Sequence, residues 1–180
     1  PVMSTRGDGG TFMPTILITG ANRGIGLESA RKFAADGWRV LACCRNPDKA
    51  TELAAISGAE MHALDVTDMA AVDALAKKIS DPIDVLLNNA GQGSFTPTGF
   101  GSMDYEGWAD LFTVNTLAPF KMIEALHDHL RRSGRKVIVN VSSQMGSIAD
   151  TSRGYVPYRA SKAALNMVTK ALAGDLAADK

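Results

Sequence analysis

The stretch Thr15-Ile16-Leu17-Ile18-Thr19-Gly20-Ala21-Asn22-Arg23-Gly24-Ile25-Gly26 joins a short apolar run to a segment of helical periodicity. The run Thr15–Thr19 predicts a buried strand, and the periodicity predicts a helix from about residue 25 to residue 35. Glycine recurs between the two, and it suits the tight turn that a strand-to-helix connection requires. The stretch therefore predicts a strand–turn–helix unit of the kind that begins an α/β fold.

The same alternation continues along the chain. Further strands are predicted at residues 38–44, 59–64, 83–87 and 136–141. Further helices are predicted at residues 47–56, at 68–79 with Asp68 as N-cap, at 105–132 with a bend at Pro119, and from about residue 155 onward. Short apolar strands that alternate with helices indicate right-handed βαβ units with helices on both faces. The predicted fold class is therefore α/β, a doubly wound parallel sheet (Rossmann fold) in a single domain.

Composition narrows the range of partners. The 180 residues are 46% hydrophobic and 21% charged with a formal net charge of zero, so neither nucleic acid nor an anionic membrane is expected as a partner. No apolar run approaches the length of a membrane span. Cys43 and Cys44 are adjacent in an apolar run, which predicts buried thiols in a reducing, cytoplasmic compartment. Residues 1–12 are expected to be a disordered tail or vector-derived sequence, and residues 13–180 the domain itself.

The glycines of the opening stretch have the spacing and the context of a dinucleotide-binding loop. Gly20 can make the tight turn, Gly24 lets the backbone approach a pyrophosphate, and Gly26 allows the helix to pack closely on the strand. The helix N-terminus would face the anion with free N–H groups and a partial positive charge. Cofactor contacts are therefore predicted along the loop, at Gly20, Asn22, Arg23, Gly24, Ile25 and Gly26.

The end of the second predicted strand bears on which dinucleotide is bound. NAD-binding proteins tend to carry an acidic residue there, which holds the ribose 2′-hydroxyl. This chain instead has Arg45 after Cys44, and a guanidinium suits the geometry of a 2′-phosphate. Arg23 would be a second phosphate contact. NADP(H) is therefore favoured over NAD(H); the alternative is that both arginines are ordinary solvated charges.

Two more predicted strands end in residues suited to a cofactor site. Asp65 and Val66 follow the third strand, where the adenine would lie, and Asp65 would either bond the adenine amine or cap a turn. Asn89, Ala90 and Gly91 follow the fourth strand. Since Asn and Gly form turns, the plain interpretation is a loop. The functional interpretation places these small residues against the cofactor at the carboxyl end of the sheet.

The stretch Tyr158-Arg159-Ala160-Ser161-Lys162 places a phenol and an ammonium four residues apart in a predicted helix. At that spacing the two side chains share one helical face. A nearby ammonium favours the phenolate form of a tyrosine, which can then exchange a proton with a carbonyl or alcohol oxygen. Alone, the spacing also fits an amphipathic Tyr and a solvated Lys on a helix surface. Tyr155 is the weaker candidate, because the residue four positions on is Arg159.

Taken together, these motifs resemble the short-chain dehydrogenase/reductase family. The resemblance runs from about Thr15 to the last residue, in the order glycine loop, Asn88-Asn89-Ala90-Gly91, Asn115, Ser143 and Tyr158-x-x-x-Lys162. Residues 142–147 and 158–166 are similar to the corresponding segments of the C-factor and sniffer-like carbonyl reductases. The resemblance covers most of the chain and rests on five motifs in one order.

The resemblance implies a role for each of four residues. Tyr158 would be the general acid/base, and Lys162 would favour its phenolate and bind the nicotinamide ribose. Ser143, rather than its neighbour Ser142, would hydrogen-bond the substrate oxygen and stabilise negative charge on it. Asn115 would hold a water that links Lys162 to solvent. No metal site is expected.

Family members usually continue with a sixth strand, a substrate-covering lobe and a seventh strand, whereas this sequence stops at Lys180. The chain is therefore expected to lack those last strands, which would leave the strand at 136–141 as an exposed apolar edge. The resemblance implies an NADP(H)-dependent oxidoreductase of carbonyl or alcohol substrates, and a homo-oligomer. The alternative raised by the missing lobe is a non-catalytic dinucleotide-binding or dimerising module. The three histidines match no motif and are expected at the surface: His62, His127 and His129.

Overall fold

The computed structural model describes residues 4–5, 11–93 and 100–179. From residue 15 onward, strands and helices alternate as the sequence predicts. The strands are β1 (Ser4–Thr5), β2 (Thr11–Phe12), β3 (Thr15–Thr19), β4 (Arg39–Cys44), β5 (Ala59–Ala63), β6 (Val85–Asn88) and β7 (Val137–Asn140). The helices are α1 (Gly24–Ala35), α2 (Thr51–Ala54), α3 (Met69–Lys78), α4 (Tyr105–Phe112), α5 (Ala118–Arg131) and α6 (Val156–Asp175).

Strands β3 to β7 form one parallel sheet in the order β5-β4-β3-β6-β7. The chain runs outward from the central β3 to β5 and then crosses back to β6, so the strand order reverses between β3 and β6. In such sheets ligands bind beyond the carboxyl ends of the strands, beside this reversal. The doubly wound α/β (Rossmann) fold predicted from the sequence is therefore confirmed.

Helices cover both faces of the sheet, and neighbouring residues of a strand belong to different cores. Leu41 and Cys43 pack in the core formed with α3 and α5. Val40 and Cys44 pack in the core formed with α1 and α2. The two cysteines are buried and unbridged, as predicted, because adjacent side chains of one strand point in opposite directions.

Two predicted helices differ from those observed. Segment 47–56 forms a 3₁₀ turn, Pro47–Lys49, followed by the short α2, because Ala50 between them has non-helical dihedral angles of −92° and 56°. The long helix predicted at 105–132 is interrupted by a π-helical turn, Thr113–Leu117. Pro119 follows this turn in the first turn of α5. Because the backbone on either side of the π-helical turn is helical, the missing N–H of Pro119 leaves a carbonyl of the preceding turn without a helical donor. The interruption therefore precedes the proline that was expected to bend the helix.

The tail is described only in part. Strands β1 and β2 pair antiparallel, with Ser4 opposite Phe12 and Thr5 opposite Thr11. Residues 1–3 and 6–10 lie outside the described residues, so the expectation of a disordered tail stays a prediction.

Strand β7 is the outer strand at one edge of the sheet. Val137 and Val139 on it are each 40% exposed, as expected for the apolar edge predicted at 136–141. None of the helices among the described residues combines the length and the apolar character needed to cross a membrane.

Candidate active site

The glycine loop between β3 and α1 is shaped by two close approaches. Gly20 has a φ of +65°, and a Cβ on it would lie 2.9 Å from Ala90 Cα. A Cβ on Gly26 would collide with Gly20 O and lie 2.5 Å from Asn89 Nδ2. Positions 20 and 26 therefore require glycine for lack of space, and position 20 also for its left-handed backbone.

Asn89 and Thr19 hold this loop against the end of β6. Asn89 Nδ2 donates to Thr19 O at 3.0 Å and to Gly20 O at 3.1 Å. Thr19 Oγ1 accepts from the backbone N–H groups of Asn89 and Ala90, both at 3.0 Å. These hydrogen bonds join β3 and β6 where the strand order reverses. The side chain of Asn89 therefore fixes the glycine loop to the end of β6.

The N-terminus of α1 is available to an anion. Its N-cap residue, Arg23, has extended backbone and makes no capping hydrogen bond with its side chain, and the first turn contains no acidic residue. The first N–H groups of the helix and its partial positive charge are therefore not used by a capping side chain. Asn22 is exposed like Arg23, and Ile25 presents an apolar side chain that is 64% exposed.

Arg45 and Asp65 lie near one another beyond the ends of β4 and β5, with the buried Val66 next to Asp65. Asp65 Oδ1 accepts hydrogen bonds from Thr67 N at 3.0 Å and Thr67 Oγ1 at 2.8 Å. These bonds, with a smaller contribution from the charge of Arg45, hold the pKa of Asp65 below its ordinary value. Arg45 is exposed, so its guanidinium can reach a ligand at this end of the sheet.

Lys162 is the buried cation of the site. The residue is 6% exposed, its Nζ donates to Val141 O at 2.8 Å, and this Nζ lies 5.9 Å from the centroid of the Tyr158 ring. A Cβ on Gly91 would lie 3.7 Å from the same Nζ. Burial lowers the pKa of Lys162, because desolvation disfavours the ammonium. The ammonium thus joins the end of β7, the loop after β6 and the first turns of α6.

Lys162→Met is expected to raise the free energy of unfolding at neutral pH by on the order of 1 kcal/mol, since it removes a buried charge. Because the pKa of Lys162 is lowered in the folded state, protonation favours the unfolded chain. This penalty is complete below the folded pKa and disappears as the pH rises from there to the unfolded pKa. Urea unfolding at neutral and alkaline pH should therefore show a stability difference that shrinks with increasing pH.

Lys170→Met is the matched control, because Lys170 is an exposed residue of the same helix and surface substitutions usually change stability by less than about 0.5 kcal/mol. A Lys162→Met protein less stable than wild type at neutral pH would contradict the prediction. It would mean that the hydrogen bond to Val141 outweighs the cost of burying the charge.

Asn115 lies in the π-helical turn Thr113–Leu117 and is 0% exposed. Its Nδ2 donates to Gln92 O at 2.8 Å and to Ser161 Oγ at 3.1 Å, while its Oδ1 accepts from Gln92 N at 2.9 Å. Both amide protons are therefore committed to protein partners. The role of Asn115 in holding a water for Lys162 stays a prediction. The π-helical turn itself is of a kind often found at functional sites.

Ser143 is the N-cap of the 3₁₀ turn Gln144–Gly146, and its Oγ accepts from Met145 N at 3.2 Å. This turn packs tightly on α6, since a Cβ on Gly146 would lie 2.9 Å from the backbone carbon of Lys162. Ser142 Oγ is buried and has no hydrogen-bond partner within the described residues. Both serines thus follow β7 and lie beside α6. The choice of Ser143 as the serine that bonds the substrate oxygen stays a prediction.

Tyr158 lies in the first turn of α6 and is half-buried. The N-cap of the helix is Tyr155, which has a left-handed backbone with a φ of +55°, an uncommon conformation for a bulky residue. Pro157 in the first turn favours the start of the helix there. Because α6 continues regularly to Lys162, the spacing of four brings the Tyr158 ring and the Lys162 amine to one face, as predicted.

Four residues that support this arrangement were not singled out from the sequence. Thr19, Gln92, Val141 and Ser161 each hydrogen-bond a predicted site residue. Only Ser161 carried a local signal, since serine in the interior of a helix is disfavoured without a specific hydrogen bond. The others act through ordinary backbone groups or a strand threonine, which no sequence pattern distinguishes.

The histidines are not part of the site, and the surface position expected for two of them is wrong. His62 is 6% exposed and His129 is 9% exposed. The His129 ring is held by backbone carbonyls, with Nδ1 3.0 Å from Asp81 O and Nε2 3.1 Å from Ala76 O. Across the described part of the chain, no group of three or more His, Cys, Asp or Glu side chains is arranged to hold a metal ion.

The comparisons with known proteins agree with this geometry. A sequence profile described as short chain dehydrogenase matches residues 14–180. The chain belongs to this family. The chain is 41% identical over 96 residues to C-signal of Myxococcus xanthus, a match that covers 53% of this chain and 57% of C-signal. It spans between 61% and 64% of the length of the first curated relatives that it matches.

Solved structures support the same assignment. The carbonyl reductase Sniffer of D. melanogaster matches with a TM-score of 0.87 and 30% identity, over 93% of this chain and 77% of that chain. An NADPH-bound carbonyl reductase from chicken fatty liver matches with a TM-score of 0.85 and 29% identity, over 93% and 75%. The resemblance to an oxidoreductase family with C-factor and sniffer-like members is therefore confirmed.

Proposed function

We propose that the protein is an NADP(H)-dependent oxidoreductase that transfers a hydride between the nicotinamide and a carbonyl or alcohol substrate. One observation carries the proposal: the buried Lys162 amine lies 5.9 Å from the centroid of the Tyr158 ring and close to Gly91, where a Cβ would lie 3.7 Å from this amine and 3.3 Å from Asn115 Oδ1. The carbonyl reductases named above lend support, one of them being an NADPH-bound structure.

The residues of the glycine loop fit a dinucleotide. A Cβ would fill the space at Gly20 and Gly26, and the N-terminus of α1 has no capping side chain to compete with a pyrophosphate. Arg45, exposed beyond β4 with no acidic residue at that strand end, suits the 2′-phosphate of NADP. Asp65 and Val66 are proposed to contact the adenine, and Asn89, Ala90 and Gly91 to border the nicotinamide side.

The proposed chemistry assigns a task to each side chain. Bound NADPH would supply the hydride for reduction of a carbonyl. Tyr158 would give its phenolic proton to the substrate oxygen, and the Lys162 ammonium would stabilise the phenolate that remains. Ser143 would donate its hydroxyl proton to the same substrate oxygen, because its Oγ already accepts from the Met145 N–H.

Turnover assays of the whole protein test this proposal. NADPH consumption is measured with a panel of aldehydes and ketones, together with NADPH binding by fluorescence titration. We expect turnover with at least one carbonyl class. Binding of NADPH without turnover on any carbonyl or alcohol would contradict the proposed enzymatic activity and favour a non-catalytic dinucleotide-binding module.

Arg45→Asp is expected to weaken NADPH binding by about 10- to 100-fold, because it removes a charge-assisted contact to the 2′-phosphate and adds a repelling charge. NADH, which lacks that phosphate, should lose less than about threefold. The two dissociation constants are measured by fluorescence titration. Lys32→Asp makes the same charge change on an exposed residue near the far end of α1. Equal weakening of NADPH and NADH by Arg45→Asp would refute the 2′-phosphate contact.

Association and location complete the proposal. A homo-oligomer formed through α5 and α6 is supported by exposed apolar side chains on and beside these helices, Leu117, Phe120 and Met167, at 53%, 37% and 62% exposure. A monomer in sedimentation velocity of the whole protein would contradict the homo-oligomer.

A cytoplasmic location is supported by the two unbridged thiols and is tested by fractionation of the source cells.

A further inference from the structure

Ser161 lies where α6, which carries Tyr158, contacts the π-helical turn that carries Asn115. It lies within α6 and is 0% exposed. Its Oγ donates to Tyr158 O at 2.8 Å and accepts from Asn115 Nδ2 at 3.1 Å. Its backbone carbonyl accepts from Thr116 Oγ1 at 3.0 Å. One small residue thus takes part in three hydrogen bonds, two of them between the π-helical turn and α6.

The two bonds of the hydroxyl act together. A serine hydroxyl that bonds the carbonyl three residues back competes with the regular helix and is usually disfavoured. Here that carbonyl belongs to Tyr158, and the oxygen lone pair also receives a proton of a buried amide. Since Gln92 holds the other groups of this amide, a continuous series of bonds runs from the loop after β6 through Asn115 and Ser161 to the main chain of Tyr158.

We propose that Ser161 is a positioning residue for the Tyr158–Lys162 pair. Its hydroxyl fixes the turn of α6 that carries the phenol and the ammonium against the π-helical turn that carries Asn115. Ser161 acts through Tyr158 and Lys162, and it does not touch the reacting atoms itself. The expected effect on kcat rests on the proposed function. The expected effect on the position of this turn of α6 rests on the hydrogen bonds alone.

Ser161→Ala and Thr116→Val in the whole protein form the matched test. Both remove a hydroxyl from a buried residue at the same junction, but only Ser161→Ala breaks the connection between Asn115 and Tyr158. We expect Ser161→Ala to lower kcat about tenfold with little change in KM, since small displacements of catalytic groups are costly. The dissociation constant of NADPH should stay within about threefold of wild type, because the glycine loop proposed to hold the cofactor is untouched.

Thr116→Val should lose thermal stability to a similar extent, about 2–4 °C in Tm, while its kcat stays that of wild type. Ser161→Cys has nearly the shape of serine and a weak hydrogen-bonding group. It should change kcat in the same direction as Ser161→Ala. It serves in place of Ser161→Ala if that variant does not fold.

A second measurement does not depend on turnover. Amide hydrogen exchange in the first turns of α6, residues 156–162, is compared between wild type, Ser161→Ala and Thr116→Val. Exchange there should be faster in Ser161→Ala than in Thr116→Val, because only Ser161→Ala removes the hydrogen bond to Tyr158 O. Faster exchange in a protein without carbonyl turnover would contradict the proposed function and leave the positioning role standing. In an active protein, an unchanged kcat in Ser161→Ala would overturn the positioning role. Exchange that is unchanged in Ser161→Ala, or that changes equally in Thr116→Val, would overturn it as well.

Discussion

Tyr158→Phe is expected to lower kcat by about 10²- to 10⁴-fold, the usual contribution of a general acid/base. The substitution removes the phenolic hydroxyl and keeps the ring, which lies beside the Lys162 amine at 5.9 Å from centroid to Nζ. Because the fold and the glycine loop are untouched, NADPH binding should stay within about threefold of wild type. Steady-state carbonyl reduction and a fluorescence titration with NADPH measure the two quantities.

Tyr155→Phe is the matched control for this substitution. Tyr155 lies three residues earlier, at the N-cap of α6, and is the tyrosine from which Tyr158 must be distinguished. Its Phe variant should keep wild-type kcat, since the ring and the backbone conformation are retained. An active Tyr158→Phe protein, or a Tyr155→Phe protein that loses activity instead, would show that the proton donor has been assigned to the wrong residue.

Gly26→Ala is expected to destabilise the fold by about 3 kcal/mol or more, at the upper end of the range for overpacking. The added Cβ would collide with Gly20 O and lie 2.5 Å from Asn89 Nδ2. Both atoms belong to the hydrogen bonds that tie the glycine loop to the end of β6, so neither can move without breaking them. NADPH binding should therefore weaken together with stability. The change in urea midpoint at a constant m-value measures the first effect.

Gly174→Ala is the control of opposite sign. Gly174 lies in α6, and a Cβ there would meet nothing within 4 Å. Replacement of a helical glycine by alanine at an unstrained position should stabilise the protein by about 0.5–1 kcal/mol. If Gly26→Ala changed stability no more than Gly174→Ala in magnitude, the close approach of α1 to the strand ends would not hold in solution.

The features predicted correctly from the sequence depend on short-range patterns. Alternation of apolar strands with helices predicted the parallel sheet, and a spacing of four predicted the shared face of Tyr158 and Lys162. The predictions that failed depended on distant contacts. His129 is buried because its ring nitrogens lie within hydrogen-bond distance of the carbonyl oxygens of Ala76 and Asp81. These two residues lie about 50 positions earlier in the chain.

The candidate site shows the same division. Local sequence alone determined the glycine loop, the strand ends that carry Arg45 and Asp65, and the Tyr–Lys pair, because backbone conformation and helical periodicity act over a few residues. The tertiary structure decided how these pieces meet: Asn89 behind the glycine loop, the π-helical turn around Asn115, and Val141 O as the partner of Lys162. Such contacts join residues up to 70 positions apart, and they arise only when the sheet brings the carboxyl ends of its strands together.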